Sequence, residues 1–377
     1  MAATKLQAVR RQLDYKADEV IRMLLSRAES LGIAVMSGTS LKTKLSRWEN
    51  GHESVSAPYR RLFRDVYGRT NEELGFPFEE DDGEAEELLS RIVVATTVDA
   101  SIVEAFQQQV EQARNVDQRF GGVTMLDQLR SLIAQVEELL RFSTSGGQRE
   151  ALARVLTDAS TLAGWQALDR NAHRQAWDHH ETAKRAAREA RSPQQLAHAL
   201  AQQAFILVDM GRADLAVDQL GEARALAQHS APDLLRAWLA AAHGEGLAAT
   251  GQRDDALRAF DAASTLLPNN PEDPALPFLF LGGVHLDRWR GNALSQLGEP
   301  AAIDQLTKAL PLLPPRFVRA RTGMLVDLAF ASAAAGDRDA ALAHAREARR
   351  LALQIRSDRQ LRRLGRLILP TGTGRTA

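Results

Sequence analysis

The second half of this chain repeats itself, and that constrains its fold more than any other feature. Residues 244–268 read GEGLAATGQRDDALRAFDAASTLLP, with Gly244, Leu247, Gly251, Ala256, Phe260, Ala263 and Pro268 at offsets that recur. Upstream the same frame is Ala204, Gly211, Ala216, Leu220 and Ala223, and before that Gly164, Ala176, His180 and Ala183, with Asn171 at the turn position. Downstream it returns as Gly298, Ala302, Leu306, Ala309 and Pro314, one residue shorter at the turn, and closes as Ala329, Gly336, Ala341, Ala345 and Ala348. The last alanines stand at 183, 223, 263, 309 and 348, so the steps are 40, 40, 46 and 39 residues. A period of this length means stacked units that bury their apolar faces only against one another. A small residue in mid-helix lets a paired helix approach closely, Gly251 ends one helix and Pro268 stops the next.

Strand signals are nearly absent. RIVVATTV at 91–98 is the one β-flavoured run, and a single strand makes no sheet, so the expected fold class is all-α. Over residues 149–362 the frame resembles the tetratricopeptide repeat in about five copies, longer than the usual repeat of about 34 residues. That resemblance, which extends to bacterial regulators that sense ligands on such repeats, implies a C-terminal α-solenoid with a ligand-binding concave face. In this frame the groove positions are Trp165, Phe205, Glu245, Arg288, Asn292 and Phe330, with Arg288 and Asn292 suited to a peptide's carboxylate and backbone. PNNPEDPALP, with Pro271, Pro274 and Pro277, is expected to be a loop between the third and fourth copies. Eight arginines in 346–366 suggest a solvated capping helix, and residues 363–377 a disordered tail.

The other end of the chain is basic. Residues 1–76 hold thirteen Lys/Arg against nine Asp/Glu, and residues 79–87 then carry seven acids and no base, although the whole chain balances at -1. A basic block followed by an acidic hinge suggests separate units with separate partners. Residues 41–76 contain L-S-R-W-E-N-G, a short loop, and then Y-R-R-L-F-R-D-V-Y-G-R-T-N-E-E-L. This resembles the Cro/repressor-type, or XRE, helix-turn-helix family, and implies a small DNA-binding domain over residues 1–78. Leu45, Trp48, Leu62, Val66 and Leu74 would form its core. Lys42, Thr43, Lys44, Ser46 and Arg47 would face DNA from the reading helix, with Asn50 and Arg60 flanking. The first half of the motif departs from the family: IAVMSGTSLKTK follows Gly32 with little room for the usual positioning helix and no T-Q start, so this half reads as degenerate.

Residues 79–148 read as an acidic hinge and a helical linker. Within it, 99–142 holds two amphipathic helices with Ile102, Phe106 and Val110, then Leu126, Leu129, Leu132, Val136 and Leu139, on their apolar faces. They would pack on the first repeat or form a dimer seam.

The chain has no cysteine, which excludes disulfides, thiolate metal sites and cysteine nucleophiles. No apolar run approaches the roughly 20 residues of a membrane span, and the N-terminus has no signal-like apolar stretch, so the expected location is cytoplasmic. None of the nine histidines has ligand spacing, and adjacent His179 and His180 point apart on a helix, with His180 in a core position of the repeat. The sequence therefore implies no enzyme, no cofactor and no metal. It implies a homodimeric transcriptional regulator that binds duplex DNA and senses a peptide, small molecule or partner protein on its solenoid. The alternative is an interaction scaffold whose helix-turn-helix is a relic that no longer binds DNA.

Overall fold

The computed structural model describes residues 4–76, 82–271, 273 and 275–370, and among these the secondary structure is helical, with no strand. The chain divides into two compact units, Met1–Leu89 and Ser90–Ala377.

The first unit contains α1 (Lys5–Gln12), α2 (Ala17–Ser30), α3 (Gly38–Glu49), α4 (Ala57–Tyr67) and α5 (Asn71–Leu74). Each helix contributes residues at helical spacing to one core: Val20, Leu24 and Ala28 from α2, Leu41, Leu45 and Trp48 from α3, Leu62 and Phe63 from α4, Leu74 from α5. Trp48 meets Phe63 edge-on, ring centroids 5.9 Å apart. Val66 is only half-buried at the margin of this core. Glu49, the acid of the R-W-E motif, is buried and takes a two-pronged ion pair from Arg10 of α1, Nε to Oε1 at 2.5 Å and Nη2 to Oε2 at 2.8 Å. Such a pair fixes register as well as energy, because only one placement of the two helices satisfies both bonds.

The helix that precedes α3 lies ahead of the IAVMSGTSLKTK segment. α2 lies wholly before Gly32, and residues 31–37 form the connection to α3. The apolar periodicity of DEVIRMLLSRAES carries this helix.

α6 (Asp82–Thr96) contains the boundary between the units. Most of RIVVATTV is helical here, since β-branched residues form a strand only where a sheet can receive them.

The second unit begins with α7 (Ala100–Phe120) and α8 (Leu126–Phe142). Five antiparallel pairs follow. They are α9 (Gly146–Asp169) with α10 (His173–Glu189), α11 (Pro193–Asp209) with α12 (Ala213–Ala227), and α13 (Asp233–Ala249) with α14 (Arg253–Leu266). The last two are α15 (Val284–Gln296) with α16 (Ala301–Ala309), and α17 (Val318–Ala334) with α18 (Arg338–Gln354); α19 (Asp358–Leu364) ends the series. A Cβ at Gly164, Gly244 or Gly291 would lie 2.6, 2.8 or 2.5 Å from His180, Phe260 or Leu306, so the small residue of each first helix receives the bulky residue of the second. The turns between paired helices need left-handed backbone, supplied by Asn171 at φ 61° and by Gly211, Gly251, Gly298 and Gly336.

α7 and α8 pack on the first repeat, one of the two placements the sequence left open: Phe106, Val110, Leu129, Leu132 and Val136 share a buried cluster with Leu152, Leu156 and Ala186 of the first pair. Two features differ from the sequence reading. The arginine-rich C-terminus is a solvated cap only in part: Arg346, Arg349, Arg350, Arg356 and Arg366 are exposed, whereas Arg359 and Arg362 bind Asp209 and Arg363 binds Asp327. The described part of the 363–377 tail, 363–370, includes that buried-side pair and a bond from Arg338 to the Pro370 carbonyl; residues 371–377 lie outside the described residues.

The solenoid closes on itself. α17 packs against α7, and α19 packs against α9. Arg319 donates to Asp117 at 2.7 Å and sits 3.4 Å from Asp169, while Ser357 donates to Asp169 at 2.6 Å. Gly121 lies against the Ile355 carbonyl so closely that a Cβ there would come within 2.0 Å of the oxygen.

Candidate functional sites

In the first unit, Leu41, Leu45 and Trp48 hold α3 in the core, which turns Lys42, Thr43, Ser46 and Arg47 outward to solvent, with Asn50 exposed at the C-cap. Most of these side chains have partners. Lys42 pairs with Asp18 at 2.8 Å, Lys44 binds Glu53, and Arg47 lies 3.4 Å from the same carboxylate. Asn50 donates to the Ser46 carbonyl at 2.7 Å and so serves the end of its own helix. Arg60, half-buried, donates to the Val55 carbonyl at 2.5 Å, which ties its guanidinium to the loop before α4. Lys42, Thr43, Ser46 and Arg47 are therefore the exposed side chains of α3, Lys44 is half-buried on Glu53, and Arg60 is held by the loop before α4.

In the second unit, a cavity of about 470 Å³ is lined by the first helices of all five pairs together with α7, α19 and the loop before α15. Of the expected groove residues, Trp165, Phe205, Glu245, Arg288 and Asn292 line it. Phe330 does not: it faces Leu325, Val326, Ala348 and Leu351 on the α17–α18 side. The fifth repeat closes onto α7 and α9, so its inward face is presented by Arg319, Gly323 and Asp327 instead.

The wall is aromatic. Trp238 and Trp289 meet at 5.4 Å, Phe205 stands edge-on to Trp289 at 6.1 Å, and His198 lies between Trp238 and Phe278 at 4.9 and 4.4 Å. Trp165 underlies the guanidinium groups of both Arg319 and Arg359, at 5.8 and 5.7 Å. Burial holds His198 and His285 neutral, with pKa values near 3. It also pushes Asp158 up to about 6 and Glu245 up to about 7, against the pull of Arg114 and Arg288 respectively. Asp209 shifts the other way: burial is its largest single effect and raises it, but Arg359, His173 and Arg362 together outweigh burial and lower it.

The helical frame missed Phe278 and Phe280, which come from the proline-rich loop. That loop is non-helical in its described residues, as its prolines imply, but it is not a solvated excursion: Leu276, Leu279 and Leu281 are buried and the two phenylalanines face the cavity. The alternation of apolar residues in ALPFLFLGG is the signal for this. Pro274 lies outside the described residues. Among the described residues no group of His, Asp and Glu is placed to hold a metal ion, and no helix is long and apolar enough to cross a membrane.

No family model matches the chain, and no curated protein matches it. Among solved structures, a Rap protein complexed with Competence and Sporulation Factor is similar at 14% identity and a TM-score of 0.45, over 93% of this chain and 99% of that one. By its own architecture the chain is an all-helical repeat protein.

Proposed function

We propose that this chain is a cytoplasmic, homodimeric transcriptional regulator whose first unit binds duplex DNA and whose repeat unit senses a small molecule, a peptide or a partner protein. The observation that carries the DNA half is the two-sided character of α3. Its buried side is locked by Leu41, Leu45 and Trp48, while Lys42, Thr43, Ser46 and Arg47 stand exposed on the other. Cations on a fixed helix neutralise phosphates, and neighbouring hydroxyls and Arg47 reach base edges. One short helix contacts few base pairs, so specific binding calls for two copies about one DNA turn apart. The sensing half is supported by an aromatic, partly charged cavity of a size suited to a ligand.

The test is a mobility shift with the full chain and the DNA upstream of its own gene, across a salt series. Affinity should fall steeply with salt, because each neutralised phosphate releases counterions, and a Lys42→Ala Arg47→Ala variant should flatten that slope. Absence of binding at low salt would favour the second reading, a scaffold that does not bind DNA. That reading has its own support: Asp18 and Glu53 already pair with the cations of α3.

A further inference from the structure

Most arginines that line the cavity are paired: Arg319 on Asp117 and Arg359 on Asp209 across the ring closure, Arg363 on Asp327 of neighbouring α17, and Arg114 with Glu111 of its own helix, while Arg366 is exposed at the margin. Arg288 on α15 is different. Its Nε is fully buried without a hydrogen-bond partner, and its guanidinium makes no ion pair among the described residues. Glu245, one repeat earlier on α13, also makes neither a hydrogen bond nor an ion pair among the described residues. The two feel each other's charge but do not touch.

Both side chains are half-buried; the buried Arg288 Nε without an acceptor is costly, and a group that serves it and the unpaired Glu245 carboxyl relieves both. The gap between them calls for an acceptor on the Arg288 side and a donor on the Glu245 side. A carboxylate with an N–H one carbon away has that pattern, and the charge-assisted bond to a guanidinium is the stronger of the two. Glu245 offers an acceptor oxygen to such an N–H whether or not it is protonated. Trp289, which lies under the Arg288 guanidinium, and Phe205 and Trp238, which pack on Trp289 in the same cavity wall, supply an apolar surface for the remainder of the ligand.

Size limits the ligand further. At about 470 Å³ the cavity lies toward the small end of ligand sites, which run to about 1,000 Å³. The packing of α17 on α7 and of α19 on α9 narrows the concave face to a half-open cavity, where an open solenoid would offer a long groove.

Building on the ligand-sensing reading above, we propose that the cavity binds a compact acid with an apolar body, of the N-acyl amino acid type, its carboxylate on Arg288 and its N–H on Glu245. The same chemistry is presented by a free N-acyl amino acid and by the C-terminus of a short peptide.

Calorimetric titration of the full chain tests this with the N-acetyl derivatives of phenylalanine, leucine, tryptophan and methionine. Each is compared with its amide, which lacks the charge, and with the matching acid that lacks the N–H. At least one N-acetyl amino acid should bind about tenfold or more tightly than both comparators. The advantage over the amide should vanish in Arg288→Met and partly survive in Arg288→Lys, with both variants shown to be folded by their circular dichroism and melting profile. A blocked tripeptide and an octapeptide ending in the same residue, each with a free carboxylate, complete the set. Tighter binding by the tripeptide than by the single residue would identify a peptide C-terminus as the source, and the reverse a free acyl amino acid. Acid and amide binding equally would overturn the assignment to Arg288. Octapeptides binding while the short acids do not would overturn the compact ligand but leave sensing intact. Silence from every probe at millimolar concentration would remove both readings.

Discussion

Arg319 on α17 and Asp117 on α7 stand 202 positions apart in the sequence and 2.7 Å apart in the fold. This bond joins the last repeat to the helix before the first and turns a stack into a ring. Asp169, from the first repeat, lies 3.4 Å from the same guanidinium, so one cation serves two buried carboxylates from different elements. The closure and the cavity share residues, because Arg319, Asp117, Arg359 and Asp209 also line that cavity.

Removing Arg319 should therefore cost more than a surface ion pair would. Arg319→Met leaves Asp117 and Asp169 buried beside each other, and stranding buried charge in this way costs about 3–5 kcal/mol. Burial already pushes Asp117 up to about 6, with Arg319 as the main opposing influence, so its carboxyl should take up a proton in the variant. The expected results are a lower melting temperature for the repeat unit and a larger radius of gyration by small-angle scattering. An unchanged radius with an unchanged melting temperature would show that apolar packing alone closes the ring.

Glu245 gives a pH-dependent prediction. Its folded-state pKa is raised by burial to about 7, above the ordinary glutamate value of about 4.5, so between these values the folded chain holds a proton that the unfolded chain has released. Its contribution to stability is thus most favourable at low pH and is lost as pH rises through 7. Glu245→Gln cannot ionise. It should match the parent at pH 5 and exceed it at pH 8 by on the order of 1–3 kcal/mol. Urea unfolding at the two pH values decides the matter, and an equal difference at both would show that the carboxylate is already compensated.

How much of this was legible in the sequence depended on the range of the interactions. The pairing of Gly244 with Phe260, the turn at Asn171 and the inward placement of Trp165, Glu245 and Arg288 all follow from a local frame that a repeat imposes. Ring closure does not follow from that frame. In a solenoid each unit touches its neighbours, and nothing local to Arg319 or Arg359 names a partner in the first or second repeat. Arg359, Arg362 and Arg363 therefore read as solvated with the rest of 346–366, Arg319 is not singled out at all, and Phe330 reads as groove-lining although Arg319 and Asp327 present the inward face of that repeat. In the first unit α2 is carried by the apolar spacing of Val20, Leu24 and Ala28, a signal that lies outside the L-S-R-W-E-N-G stretch.

Glu53 sits at the edge of the proposed DNA surface and holds both Lys44 and Arg47. These contacts are partly exposed to solvent, so breaking them should cost the fold little. Glu53→Gln releases two cations toward phosphates and removes a like charge from the DNA side. If α3 is the DNA-binding element, affinity for duplex DNA at low salt should rise several-fold and its salt dependence should steepen. Unchanged or weaker binding in a folded variant would indicate that α3 does not approach the backbone.

His180 occupies the bulky slot of the first repeat, where the next three repeats carry Leu220, Phe260 and Leu306. It is 1% exposed, and neither ring nitrogen has a hydrogen-bond partner among the described residues. A leucine fits this geometry, since Leu306 approaches Gly291 as closely as His180 approaches Gly164. His180→Leu should therefore stabilise the repeat unit at pH 8 by about 1–3 kcal/mol, the cost of leaving a buried polar group unpaired. The gain should also depend on pH. Burial lowers the folded-state pKa of His180 to about 3, so below the ordinary value of about 6.5 the unfolded chain takes up a proton that the folded chain refuses. What His180 contributes is intact above pH 6.5 and declines as pH falls toward 3. His198 and His285, also neutral by burial, titrate alike in parent and variant and cancel in the difference. The margin of His180→Leu should thus widen by about 2 kcal/mol between pH 8 and pH 5. Urea unfolding of both proteins at pH 8, 6.5 and 5 measures it; a constant margin would mean that His180 is protonated in the folded state, and a negative one that its nitrogens are satisfied there.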